Sequence, residues 1–328
     1  MEKNKELDIN DFLNSFLNKR HERDNLLFDN IDVFYTMSQF LGKQTSIEIP
    51  KMQMDWSKIS KSTFFQNVEL VDDFFKKMGI QFEINKILSD GTIDIITTDY
   101  EKIMHGLNNY LGNHKAIKIY NNGYITDPIV WVHEISHFRN QPEEGRGQVN
   151  DLLTEALAHM TSLLYTDYLE KEGFVYEANF GRYDILNTFH NVSYDAYIVS
   201  KIFMLYEALG DTSKETYKYF YKTDEDYEKV RNDFIKIITK NPMSIRDLLW
   251  YTLSGVLSVY MYEQYRKDNN FITKIEQLNT SLLKGDSLQR CLGIIGITGY
   301  NEDSLSKIEE SYDIYKKDLE ASRRVLKK

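Results

Sequence analysis

The residues best suited to chemistry are His133-Glu134-Ile135-Ser136-His137, an HExxH pattern. On a helix, positions i and i+4 lie one above the other on the same face. His133 and His137 can therefore share one Zn²⁺ through their imidazole nitrogens. Glu134 lies about 100° around the helix from His133, so it does not ligate. It can instead reach a metal-bound water as general base. The pattern sits where a helix should start: Asp127 suits an N-cap and Pro128 a first helical residue. The apolar run Ile129-Val130-Trp131-Val132 fits a helix buried beneath an active-site floor.

A catalytic zinc needs a third protein ligand and one position left for water. Glu155 follows His137 by 18 positions, across the Pro- and Gly-bearing segment Asn140 to Gly147. A helix–loop–helix turn of that length folds the second helix back onto the first. Glu155 interrupts an apolar stretch, and a buried carboxylate requires a partner. Asp151, Glu155 and His159 share one face at i, i+4, i+8 spacing. His159 is the main rival ligand and Asp151 another. With Glu155 as ligand, either could serve as a hydrogen-bond partner to a ligand. The expected complement is one Zn²⁺ per chain and no other cofactor.

The elements that must position these groups come from periodicity. Helical spacing covers 8–42 and 56–78. Phe82, Ile84 and Ile87, then Ser89-Asp90-Gly91, then Ile93, Ile95 and Ile96 predict a β-hairpin. A helix is expected from Asp99 to about Leu111, and a strand over Ala116–Tyr120. From Asp127 onward the pattern is helical, over about 128–140, 148–172, 182–210, 213–240, 244–268, 271–284 and 303–326. The expected architecture is mainly α, with a small antiparallel sheet just before the HExxH helix. A mixed part at 1–124 and a helical part at 125–328 would form one compact unit with a cleft between them.

Composition narrows the function classes. The 328 residues carry 40 Lys+Arg against 50 Asp+Glu, a net charge of −10, which argues against a general nucleic-acid binder. One cysteine excludes an intramolecular disulfide and fits a reducing compartment. Four prolines suit long uninterrupted helices. No apolar run reaches membrane-spanning length and no signal-like h-region opens the chain, so the expectation is a cytoplasmic protein without membrane contact. There is no GxSxG elbow and no P-loop. Cys291, beside Leu292, Ile294 and Ile295, suits packing rather than nucleophilic chemistry. Thr223-Asp224-Glu225-Asp226 suits a helix start.

HExxH followed by a helical Glu155 resembles the gluzincin class of zinc peptidases, and among these the helical thimet oligopeptidase and oligoendopeptidase F family. Leu282-Leu283-Lys284-Gly285-Asp286-Ser287 and Leu292-Gly293-Ile294-Ile295-Gly296-Ile297 resemble that family's carboxy-terminal pattern. Trp250-Tyr251-Thr252-Leu253-Ser254-Gly255 is similar to its tyrosine-bearing helix. The resemblance implies a helix-rich zincin-like metallopeptidase, an endopeptidase whose substrate is a peptide or protein. It implies Tyr251 as hydrogen-bond donor to the oxyanion, with His190, Tyr194 and Tyr197 as the alternative set. The chain departs from the family in three ways. The spacing to Glu155 is shorter, Ser136 replaces a glycine, and Met243–Leu249 lack the family's histidine and paired tyrosines. The chain is also much shorter than the family's usual members. Two alternatives follow: a helical binding or regulatory protein with a structural or vestigial metal site, and a toxin-like protease for one folded protein.

Overall fold

The computed structural model describes residues 8–18, 55–80, 82–89, 91, 93–97, 107–111, 114–140, 148–222, 226–240, 245–298 and 302–327. The chain forms two compact units. One gathers Met1–Glu48 and Thr188–Leu253, the other Ile49–Asn187 and Ser254–Lys328. The residues on either side of position 124 thus share a unit. The elements in chain order are α1 (Ile9–Asn18), α2 (Phe64–Lys77), α3 (Ile84–Ser89), β1 (Ile93–Thr97), β2 (Leu107–Leu111) and β3 (His114–Asn121). Then come α4 (Asp127–Asn140), α5 (Gln148–Lys171), α6 (Val175–Leu209), α7 (Lys214–Phe220), α8 (Tyr227–Lys240), α9 (Ile245–Lys267), α10 (Phe271–Leu283), α11 (Leu288–Ile294) and α12 (Glu302–Leu326). The architecture is mainly α, as the periodicity predicts. No helix among the described residues is long and apolar enough to cross a membrane.

In the second unit, Thr63 and Gln66 close a capping box at the start of α2, each side chain accepting from the other residue's backbone N–H. The apolar stripe of α2 then buries Val68, Val71, Phe74 and Phe75. Phe74 packs edge-on to Tyr165 of α5 at 5.2 Å. The small sheet has strand order β1-β3-β2. It is mixed rather than antiparallel: β1 runs parallel to β3, with Ile93 opposite Ile117 and Ile95 opposite Ile119, and only β2 pairs antiparallel. Ile117 and Ile119 are fully buried.

Three local expectations are corrected. The segment before Ser89 is helix α3, not the first arm of a hairpin. Phe82 packs tilted against Phe75 with ring centroids 5.0 Å apart and Ile84 is fully buried, so tertiary packing overrides the short apolar alternation. Leu107–Leu111 is strand β2 rather than the end of a helix: it pairs antiparallel with β3, which begins at His114, and this pairing overrides the helical spacing of its apolar residues. The helix expected over 213–240 is two helices, with Lys222 at φ 31° between them. Asp226 Oδ1 then accepts from Glu228 N at the start of α8, as its place at a helix start predicts.

In the other unit, Asn10 of α1 donates from Nδ2 to Asp211 Oδ1 at 3.0 Å and accepts from Thr212 through Oδ1. Phe12 and Phe16 pack edge-on against Phe234 and Phe203. Buried Lys201 lies over the ring of Tyr221, 4.4 Å from its centroid.

Candidate metal centre

Helix α4 is fastened at its start. Asp127 is buried, and its carboxylate turns back instead of capping the helix forward. Oδ2 accepts from the backbone N–H of Asn122 (2.7 Å), Gly123 (2.8 Å) and Tyr124 (3.1 Å), and Oδ1 from Asn122 Nδ2. Gly123, at φ 81°, supplies the left-handed residue that this turn requires. The turn links the end of β3 directly to the start of α4. Ser62 N donates to Gly123 O and Ile125 N to Ser60 O, which ties in the strand-like segment before α2.

The predicted apolar flank is core. Ile129, Trp131, Val132 and Ile135 are buried, and Trp131 Nε1 donates to Tyr120 O at 2.8 Å. Gly181 of α6 permits a close approach, since a Cβ there would overlap Ile129 Cδ1. Ser162 Oγ of α5 donates to Ile129 O at 3.0 Å. Ser136 faces α5 as well. Its Oγ accepts from Asn140 Nδ2 at 3.1 Å and lies 3.3 Å from Thr161 Oγ1. A hydroxyl therefore fits where the resembled family has glycine, because both sides of the helix contact provide partners.

Helix α5 packs along α4 and brings Glu155 to the two histidines. His133 Nε2 and His137 Nε2 are 3.1 Å apart. Glu155 Oε2 lies 2.9 Å from His137 Nε2, and Oε1 lies 3.5 Å from His133 Nε2. One donor atom from each of the three residues falls within 4.8 Å of the others. His159 Nε2 lies 2.9 Å from Glu155 Oε1, and its ring sits 4.6 Å from that of His133. Nothing is described of the Asp151 side chain, and the loop expected over 140–147 lies outside the described residues from 141 onward.

Burial sets the charge states. It holds the His133 imidazole well below its ordinary range, against the opposing pull of Glu155. Burial alone would raise the Glu155 carboxyl. The imidazoles of His137 and His133, with hydrogen bonds from His137 and His159, instead take it well below the carboxylate range. Glu134 is 7% exposed and is pushed up to about 7 by burial, with His137 opposing the shift and Glu155 adding to it.

The donor set fits zinc. A neutral imidazole and an anionic carboxylate are the ligand forms a metal takes up, and two ring nitrogens this close share at most one proton between them. The group His133, His137 and Glu155 is able to hold a metal ion.

The candidate oxyanion donors belong to the other unit. Tyr251 is 40% exposed on α9. Tyr194 donates to Asp233 Oδ2 at 2.6 Å and accepts from Lys229 Nζ at 2.6 Å. His190 and Tyr197 are half-buried on α6, and Tyr197 OH accepts from Lys201 Nζ. Sequence reasoning missed Asn140, Thr161, Ser162 and Gly181, which set the approach of helices to α4. Their only local signal is small or polar residues on otherwise apolar helix faces.

No protein-family model and no curated protein matches the chain. Two solved structures are similar to it. One is a protein of Bacillus anthracis str. Ames provisionally assigned as an oligoendopeptidase F; the other is a protein of Chlamydophila abortus provisionally assigned as a peptidase. Each aligns at a TM-score of 0.50 and 14% identity, over 96% of this chain and 60% of the neighbour. The chain thus spans about three fifths of the length of the structures it resembles. Over nearly its whole length it has an oligopeptidase-like fold.

Proposed function

We propose that this protein is a zinc-dependent metallopeptidase, an endopeptidase acting on peptides. The observation that carries the reading is the convergence of His133, His137 and Glu155 with Glu134 beside them on the same helix turn. The likeness of fold to two proteins provisionally assigned as peptidases supports it.

His133, His137 and Glu155 would hold the metal. A zinc ion there supplies Lewis acidity to water and to the scissile carbonyl. Glu134 acts as the proton carrier. With its carboxyl near 7, it can accept a proton from the attacking water and return it to the leaving amine without a large penalty in either direction. Its burial keeps bulk water from competing for that proton. Tyr251 is assigned as donor to the oxyanion, a role for which a phenol suits because the charge develops only in the transition state.

Metal analysis of the purified protein, paired with cleavage of a peptide library, tests this reading. The expected result is one equivalent of zinc and hydrolysis that Glu134→Gln lowers by about 10³-fold or more, with zinc retained. Unchanged hydrolysis in a zinc-loaded Glu134→Gln protein overturns the mechanism. One equivalent of zinc with no cleavage of any peptide overturns the peptidase reading in favour of a structural metal site.

A further inference from the structure

We infer that His159 is a positioning residue that holds one oxygen of Glu155 and leaves the other for the metal. The inference rests on the reading of His133, His137 and Glu155 as a zinc site. His159 lies four residues after Glu155 on α5, so the two side chains share a face. Its Nε2 is 2.9 Å from Glu155 Oε1, while Glu155 Oε2 is 2.9 Å from His137 Nε2. The two oxygens of one carboxylate are thus divided between two imidazoles from different helices. The His159 ring also packs at 63° against His133, with centroids 4.6 Å apart. His159 thereby touches two of the three donors, yet it stands outside the group whose ligand atoms converge within 4.8 Å.

The chemistry favours support over ligation. His159 Nε2 lies 2.9 Å from Oε1 but off the line of a hydrogen bond, and a small turn of the ring would bring an N–H onto that oxygen, fixing the carboxylate plane and removing the option of rotating to bind through both oxygens. An imidazole does this without the permanent positive charge of a guanidinium, so the anion keeps its attraction for a divalent cation. The edge of the ring against His133 restrains the rotation of a second ligand at the same time.

The test compares wild type, His159→Ala, His159→Asn and His159→Gln. Asparagine is one methylene too short to reach Oε1, whereas the glutamine amide can donate to it. Zinc affinity is measured by competition with a chromogenic chelator, and coordination by the visible absorption of the Co²⁺-substituted protein. Alanine and asparagine are expected to weaken zinc binding by about 10- to 100-fold, glutamine to restore it to within a few-fold, and the Co²⁺ band to keep its intensity throughout. Should the alanine variant not fold, the asparagine–glutamine pair carries the comparison. Wild-type affinity in both the alanine and asparagine variants overturns the inference and leaves the zinc site standing. A Co²⁺ band that changes coordination in these variants makes His159 a ligand and overturns the inference too. A wild-type protein that binds no zinc overturns both.

Discussion

Helix α5 carries two clusters of charge that find their partners differently. Near its start, Glu155 faces three imidazoles. About three to four turns on, Asp167 and Glu170 face Arg182, whose Nη2 donates to both at 2.7 and 2.8 Å. Tyr262 OH donates to Asp167 Oδ1 at 2.7 Å, and these contacts keep the Arg182 guanidinium protonated against the cost of burial. The second cluster is electrically complete, because its cation is built into the chain. In the first, no permanent cation faces the carboxylate, and burial holds the His133 imidazole well below its ordinary range. A carboxylate among imidazoles gains most when a cation is bound between them. The difference between structural and functional charge on one helix is therefore the source of the positive charge.

Zinc addition should separate the clusters most sharply. At 1,000 times its dissociation constant, zinc should stabilise wild type and Arg182→Gln by about 4 kcal/mol, and Glu155→Gln by less than about 1 kcal/mol, read from urea unfolding of each protein with and without metal. A Glu155→Gln protein that gains as much as wild type would remove Glu155 from the ligand set. Arg182→Gln should cost about 3 kcal/mol whether or not zinc is present, since it leaves Asp167 without its cation. A cost that vanishes on adding zinc would mean that the clusters are one.

The pH dependence gives a smaller effect. The carboxyl of Glu134 lies near 7 against an ordinary 4.5, so its stabilising contribution is full below about 4.5 and is lost as pH rises through about 7. In metal-free protein, the unfolding free energy of wild type relative to Glu134→Gln should fall by on the order of 2 kcal/mol between pH 4.5 and pH 8. A flat difference would place Glu134 in contact with solvent. The smallest expected signal is the coupling between clusters. Glu155 and Asp167 are 12 residues apart on α5, roughly 18 Å along the axis. Glu155→Gln and Arg182→Gln should then be additive within about 0.5 kcal/mol in metal-free protein.

Much of the metal group is legible in the sequence because a helix converts spacing into position. His133 and His137 needed only the i, i+4 rule. Glu155 needed one further step, the folding back of α5, and its interruption of an apolar face marked it. His159 appeared in the same pattern but its rank did not, since a repeat of i, i+4, i+8 places three groups on one face without saying which one meets α4. The backward grip of Asp127 was hidden by its usual role as a forward cap. The sheet was the least legible part. Strand β3 lies between β1 and β2 in space but after both in sequence, so its parallel pairing leaves no local turn signal. Tyr251 is a reading from resemblance, since no spacing rule ties a residue on α9 to the histidines of α4.

The hydrogen bonds to Asp127 can be viewed as the bearing of a lever. His133 lies six residues beyond Asp127, roughly 9 Å along the helix axis. A tilt of about 5° at that bearing would swing the imidazole by roughly 0.8 Å, more than the half-ångström tolerance of a preorganised site. Three backbone donors on a single carboxylate oxygen, together with the Asn122 amide on the other, are thus the stiffness specification of a site nearly two helical turns away.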